Sequence, residues 1–549
     1  MDGSPRSTRF SVWPLLAAAA ICILLSAMVL HASCLRNEGH LAYALDDAYI
    51  HMAMAKHWVV DGVLGVTPEG FTFATSSPLW TLLLAGTYAL TGVSVEAPLV
   101  LNLICALASL VLVFGVLRRW VPSAFMQFIG LLMFLYLTPL VPMVFAGMEH
   151  CLHILLILAL FFLGVELLTA EHPAGRFRHA TRSRLVLVFA IAALAVMARY
   201  ESFFLVAALA LLFLLRRRPW PAVLLVLAGL LPVAVWGIVS VSHGGFLLPT
   251  SLMLKGHFPL WSSPVAIVRA LGYTSIQRLT SQEPVLYALV VGAGLALLHR
   301  SRRESFWRPR ALLPVLVILG CLGHLQFAKT GWFYRYDAYL HALGIVAILV
   351  AFCDRGARDL WTQLRRAPWL QGVAVIALAL LILLPLHYRG KAALQETVPA
   401  TGNIYEQQVQ MGRFLRAYYD GASVAANDIG AINYYANLQC LDLWGLGTTA
   451  IAKARRAGTY STETISRLTQ ERGTRIAIVY ADWFTDPILP EGWRSAGRWT
   501  IRNSIVCGDE TVEFFAARQE EFPRLVDCLQ AFSDSLPPGV RETGRYRKP

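Results

Sequence analysis

"YALDDAYIHMAMAKHW", Tyr43 to Trp58, follows the first long apolar run of the chain and sets Asp46 and Asp47 side by side in a stretch with few other charges. Read locally, it is a helix start, with Asp46 as N-cap and Asp47 as a first-turn carboxylate. Yet His51 stands four residues after Asp47, on the same helix face, and a carboxylate beside an imidazole can take a proton from a hydroxyl or hold a cation. The choice depends on which side of the neighbouring apolar runs this stretch lies.

Those runs dominate the chain, whose 549 residues are 56% hydrophobic and only 15% charged, outside the soluble globular range. A spanning helix needs about 20 apolar residues to cross roughly 30 Å of hydrocarbon. Eleven segments qualify, near 12–33, 97–117, 122–140, 149–168, 184–198, 200–215, 221–241, 284–299, 311–328, 338–353 and 369–386. The first follows only Arg6 and Arg9, exceeds a signal-peptide core and lacks a clear small-residue cleavage site, so it is expected to remain as a helix. The expected fold is mainly α: a polytopic transmembrane bundle over 1–386, followed by a small extracytoplasmic α/β domain over 387–549.

Charge sets the orientation. "PLWTLLLAGTYAL", Pro78 to Leu90, is short, and counting it as a span would put the arginines of "RRW" and "GRFRHATRSR" outside. Laid along the outer face instead, it leaves twenty Lys and Arg in the loops on the N-terminal side and eight in the longer loops opposite. The positive-inside rule then places the N-terminus in the cytoplasm and the C-terminus outside. The net charge of +13 reflects these loops and the membrane surface, and a nucleic-acid partner is rejected.

After Pro385 the composition becomes that of a soluble domain. "GASVAANDIGAINYYANLQCLDLWGLG" (Gly421 to Gly447) reads as strand, turn, short helix and second strand, and "TRIAIVYADW" and "TVEFFAAR" as further strands. No internal repeat of the inverted transporter kind is visible. The nine cysteines show no metal-binding spacing, and Cys507 and Cys528, on the oxidising side, are candidates for a disulfide.

Sorted by side, the outer loops collect Asp46, Asp47, His51, Glu149 in "AGMEH", Arg199 and Glu201 in "ARYES", Lys255, and Lys329 and Arg335 in "AKTGWFYRYD". Each has an ordinary structural explanation. The acids suit helix starts, the cations suit interfacial snorkelling, and Trp332, Phe333, Tyr334 and Tyr336 suit an aromatic belt. Their gathering at one membrane boundary points instead to a shared polar pocket, because each charge at the centre of a span costs about 2.5–3.5 kcal/mol unless paired or wet. A pocket with carboxylates near cations, open to lipid and water, suits a substrate with a lipid tail and an anionic head. Arg and Lys would hold a phosphate while a carboxylate deprotonates an attacking hydroxyl.

The chain also resembles the C-type integral-membrane glycosyltransferases that use polyprenyl-phosphate sugars. The resemblance is carried by "LDDAYIHMAMAKHWVVDGVLGVTPEGFTFATSSPLWTLLLAG" (Leu45 to Gly86), "AGMEH" (Ala146 to His150), "ARYES" (Ala198 to Ser202), "GGFLLPTSLMLKG" (Gly244 to Gly256), "WFYRYDAYLHAL" (Trp332 to Leu343) and "VAANDIGAINYYANLQCLDLWGL" (Val424 to Leu446). These stand in the order of the branch similar to bacterial terminal arabinofuranosyltransferases. Ala53, His57, Tyr200 and Thr250-Ser251 depart from its pattern, which bears on the sugar and the acceptor more than on the reaction class.

The resemblance implies Asp46, with Asp47 beside it, as the catalytic carboxylate. It implies Glu149, Arg199 and Glu201 as pocket residues, and Lys255 and Arg335 as phosphate contacts. His51, Lys329, Tyr334 and Tyr336 complete the candidate substrate-binding set. The expected reaction is inverting transfer of one sugar from a polyprenyl phosphate to a hydroxyl of a glycan, lipid or protein acceptor at the outer face. No metal is required for the carboxylate step, although Asp46, Asp47 and Glu149 have the chemistry to bind a divalent cation. The rivals are a transporter or lipid-linked-sugar flippase, which would need ionisable residues near mid-span, and an assembly subunit whose outer domain binds partners.

Overall fold

The computed structural model describes residues 11–170, 177–255, 265, 284–353 and 369–546. In chain order the helices of the bundle are α1 (Trp13–Arg36), α2 (Asp47–Asp61), α3 (Pro78–Thr91), α4 (Ala97–Trp120), α5 (Ala124–Leu137), α6 (Leu140–Phe145), α7 (His150–Thr169) and α8 (Phe177–Ala198). They continue with α9 (Ser202–Leu215), α10 (Pro219–Ser242), α11 (Thr250–Lys255), α12 (Pro284–Ser301), α13 (Pro309–Phe327), α14 (Ala338–Phe352) and α15 (Trp369–Ile404). Every one of the eleven expected spans falls on a helix, and among the described residues seven helices are long and apolar enough to cross a membrane.

Burial sorts these helices. All of Ala338–Ala347 on α14 is buried, the mark of a central helix that is apolar all round. By contrast, Leu16, Leu24 and Met28 of α1 and Leu370 and Leu381 of α15 are exposed, a surface suited to lipid. The segment Pro78–Leu90 forms the 14-residue α3, opened by Pro78 and by Ser77, whose hydroxyl accepts from the Trp80 amide at 3.3 Å. It packs on α2, α4 and α8.

The last long helix does not stop at 386. It runs through Pro385 and Pro399 to Ile404, because beyond 386 it acquires a buried face of Arg389, Ala393, Thr397 and Ala400, and Arg389 pairs with Asp337 at 2.9 Å. The boundary placed after 386 therefore falls inside a helix. A π-helical turn, Tyr405–Val409, and α16 (Gln410–Tyr418) lead into the sheet.

That sheet has six strands in the order β2-β1-β3-β5-β4-β6. Strands β1 (Ser423–Ala426), β2 (Gln439–Asp442) and β3 (Ile476–Val479) are parallel, while β4 (Arg494–Thr500), β5 (Thr511–Ala516) and β6 (Arg541–Gly544) continue antiparallel. Four strands match the sequence reading, and α17 (Gly430–Tyr435) is the expected short helix between β1 and β2. Helix α18 (Thr449–Ala457) follows β2, α19 (Thr462–Glu471) precedes β3, and α20 (Glu521–Phe532) closes the core with Phe414, Trp499 and Phe514.

The Cys507–Cys528 disulfide is not formed. Both cysteines are free: Cys507 Sγ lies 3.4 Å from Gln408 Oε1, while Cys528 sits on α20 in the sheet core. Of the loops used to orient the chain, residues 1–10, 171–176, 256–264, 266–283 and 354–368 lie outside the described residues.

Candidate functional site

A cavity of about 380 Å³ opens where the ends of several helices meet. It is lined by Asp47 and His51 of α2, Met148 before α7, Arg199, Tyr200 and Glu201 between α8 and α9, and Lys329, Arg335 and Tyr336 before α14. Its remaining wall is largely apolar, with Phe203, Phe204, Leu230, Val233, Leu248 and Phe327. Polar groups thus converge at one end of an apolar slot.

Local sequence explains the placement. In "AGMEH", Gly147 has φ +69°, and a Cβ there would lie 2.5 Å from Tyr43 and 2.9 Å from Ala48, so glycine lets this turn press onto α2. Trp80 of α3 donates its indole N–H to the Gly147 carbonyl at 3.3 Å. Before α14, Gly331, Trp332, Phe333 and Tyr334 have φ of 70°, 41°, 53° and 60°. Three consecutive non-glycine residues in the left-handed region store strain, roughly 1–2 kcal/mol each, directly before Arg335.

Two guanidiniums organise the charges. Arg335 donates to Asp47 Oδ2 at 2.6 Å and to the Tyr336 hydroxyl at 3.3 Å. Arg199 donates to Glu149 Oε1 and to Glu201 Oε1, both at 2.7 Å. The Tyr336 ring lies between them, 4.9 Å from the Arg335 guanidinium carbon and 5.5 Å from that of Arg199. His51 Nδ1 stands 3.1 Å from the hydroxyls of Thr75 and Thr81, and its Nε2 is 3.5 Å from Glu149 Oε2. Burial lowers the His51 pKa, and although Glu149 and Asp47 oppose that shift, Arg199 and Arg335 reinforce it, so the ring is neutral near pH 7. Burial raises the Glu201 carboxyl, but Arg199 more than reverses this, to about 2.

The two aspartates part company. Asp47 faces the cavity with its side chain 27% exposed. Asp46 occupies the N-cap position of α2 but makes no side-chain cap there. Its buried carboxyl accepts instead from the Gly430 and Ala431 amides, at 2.7 and 2.8 Å. Burial and then the neighbouring Asp428 carboxylate push the Asp46 pKa well up, against the lowering effect of the two amides.

Of the other expected residues, Lys329 lines the cavity and is exposed, whereas Tyr334 turns away and donates to Glu396 Oε2 at 2.8 Å. Lys255 closes α11, and its side chain lies outside the described residues. No cluster of three or more His, Cys, Asp or Glu able to hold a metal occurs among the described residues. Sequence reading missed Met148, the Thr75–Thr81 hydroxyls and Leu446, which reaches the cavity from the loop after β2. The threonines flank "SSPLW" but carry no signal of contact with His51.

Residues 402–515 match a family described as a domain of unknown function, DUF8728. No curated protein matches the chain. Among solved structures, ArnT from Cupriavidus metallidurans bound to undecaprenyl phosphate is similar, with a TM-score of 0.55 at 14% identity over 93% of this chain and 99% of that one. The oligosaccharyltransferase of Archaeoglobus fulgidus in its apo form aligns with a TM-score of 0.48 at 12% identity, over 94% of this chain and 75% of that one. The chain therefore shares the fold of ArnT over nearly the whole length of both chains, and its helical bundle carrying a small C-terminal sheet domain is the architecture expected from its sequence.

Proposed function

We propose that this protein is a membrane glycosyltransferase that moves one sugar from a polyprenyl phosphate to an acceptor hydroxyl at the outer face of a bacterial inner membrane, with inversion. The observation that carries this reading is the Asp47–Arg335 pair on the wall of an apolar-lined cavity that also holds Lys329. The apolar slot takes the start of a prenyl chain, and the cations take its phosphate.

Asp47 is the base. The environments of the two aspartates differ, which separates their roles. Asp46 is buried beside another carboxylate and held by amides, whereas Asp47 is paired with Arg335 and open to the cavity. A carboxylate locked to an arginine is a weak base. An arriving phosphate competes for the Arg335 guanidinium, and the freed carboxylate gains basicity where the acceptor must approach. The acceptor O–H gives its proton to Asp47 as the oxygen bonds to the anomeric carbon. The bond from that carbon to the phosphate oxygen breaks, and the electron pair leaves on a polyprenyl phosphate neutralised by Lys329 and Arg335. A single displacement inverts the anomeric carbon, and none of these steps needs a metal.

The test is transfer by the purified protein from a panel of radiolabelled polyprenyl-phosphate sugars. Transfer from at least one donor, lost on Asp47→Asn, is expected. Failure with every donor would favour a transporter, and full activity in the variant would remove Asp47 from the chemistry.

A further inference from the structure

The carboxylate next to the proposed base is where the C-terminal domain grips the membrane bundle. Asp46 Oδ2 accepts from the Gly430 amide at 2.7 Å and Oδ1 from the Ala431 amide at 2.8 Å, across 384 and 385 residues of chain. There is no slack in this contact. A Cβ on Gly430 would fall 2.1 Å from the Asp46 carbonyl oxygen and 2.6 Å from Oδ2. The turn is held from behind, since Asp428 Oδ2 accepts from Gln408 Nε2 and from the Tyr480 hydroxyl, both at 2.9 Å. Those partners belong to the π turn below the sheet and to the carboxyl end of β3.

The grip continues along α2. Tyr49 packs on Tyr434 and Tyr435 with ring centroids 5.8 and 5.9 Å apart, and Lys56 Nζ donates to the Tyr434 carbonyl and to Asn437 Oδ1, both at 3.0 Å. The same domain sends Leu446 into the cavity wall, on a loop closed by Asp442, which accepts from the Trp444 and Gly447 amides at 2.7 Å each. The first turn of α2 is thus clamped by the sheet domain on one side while Asp47 meets Arg335 on the other.

We propose that Asp46 is a positioning residue that locks the C-terminal domain to the first turn of α2, so that this domain fixes where the neighbouring Asp47 carboxylate stands in the cavity. The inference rests on the reading of Asp47 as the base. It makes the sheet domain part of the active site, because a base displaced by about 1 Å costs on the order of 100-fold in rate.

The test uses the full-length protein in detergent, with two readouts. Hydrogen exchange at Gly430 and Ala431 reports the lock whether or not the enzyme turns over, and steady-state transfer reports kcat and donor KM separately. Asp46→Ala should speed exchange at these amides by roughly 10-fold or more and lower kcat by roughly 10- to 100-fold, with donor KM within about twofold. Gly430→Ala, which leaves both aspartates in place, should do the same, and Asp46→Asn, keeping one good acceptor, should fall between. Asp47→Asn should lower transfer by about 10²- to 10⁴-fold and leave the exchange unchanged. Faster exchange without loss of kcat would overturn the proposal, as would unaltered exchange in both Asp46→Ala and Gly430→Ala. An inactive Asp46→Asn beside an active Asp47→Asn would make Asp46 the base and overturn it too. If Asp47→Asn and Asp46→Ala both transfer normally while only Asp46→Ala loosens the amides, the lock is real but the reading of the base has failed, and the inference falls with it.

Discussion

On one wall of the cavity Arg335 holds a single carboxylate, Asp47, whose side chain is 27% exposed; on the other Arg199 holds two, Glu149 and Glu201, at 0% and 20%. The first pair is neutral in sum, and although the Arg335 side chain is itself only 1% exposed, its carboxylate partner opens to the cavity, so on the proposed mechanism a phosphate reaches the cation by displacing Asp47. The second carries an excess negative charge, with Glu149 fully buried and both acids bonded to Arg199 at 2.7 Å. On the proposed function the contrast separates chemistry from construction: the Arg335 pair exchanges partners, and the Arg199 group keeps the α7, α8 and α9 ends together.

The largest effect should come from removing the carboxylate proposed as the base. Asp47→Asn keeps the volume but cannot accept the proton, and the rate should fall by about 10²- to 10⁴-fold while the melting temperature stays within a few degrees. A large drop in stability instead would move Asp47 to the constructional wall. Arg199→Ala should act the other way round. It strands Glu149 without its cation, and loss of one partner of a buried pair costs about 3–5 kcal/mol, so thermal unfolding should shift strongly downward. An Arg199→Ala protein that is as stable as wild type and lacks only activity would erase the distinction between the walls.

Lys329→Ala should be milder. Its ammonium makes no ion pair among the described residues, and the segment stays anchored by the Lys329 carbonyl, which accepts from His324 Nε2 at 2.9 Å. Losing one point charge proposed to meet the phosphate should raise donor KM about tenfold and leave the melting temperature unchanged. An unchanged KM would assign the phosphate to Arg335 alone.

The sequence reading reached the apolar helices because twenty-residue apolar runs leave few other structures possible in a bilayer, and it reached the charged cluster because charge is scarce between those runs. It did not reach the divergence of Asp46 and Asp47. Adjacent residues on one helix turn point differently, and the partners that decide between them, Gly430 and Arg335, lie 384 and 288 positions away. Tyr334 was drawn into the pocket by its neighbours in sequence, and the left-handed turn from Gly331 to Tyr334 sends its hydroxyl to Glu396. Strands β4 and β6 were missed because "RSAGRWT" and "RETG" are too polar and too exposed to alternate clearly.

The smallest expected effect is a difference in acid sensitivity between the walls. His51 has its pKa lowered chiefly by burial, so the folded protein takes up its proton at lower pH than the unfolded chain, where histidine titrates at about 6.5. More protons are then bound by the unfolded state, and stability must fall as pH drops below about 6.5 until the folded pKa is reached. Glu201, brought down to about 2 by Arg199, adds stability that is complete above the ordinary carboxyl range, near 4.3, and is lost only as pH falls toward 2. Between pH 7 and 5.5 the His51 contribution should therefore change while that of Glu201 stays constant. Melting temperatures measured over that interval should fall less steeply in His51→Gln than in wild type, and Glu201→Gln should lower the whole curve without changing its slope. Equal slopes in His51→Gln and wild type would mean that folding leaves the imidazole pKa unchanged, and a wild-type curve that falls less steeply than that of His51→Gln would mean that the imidazole is protonated against Glu149, part of the ion-paired wall and no longer a neutral neighbour of the proposed base.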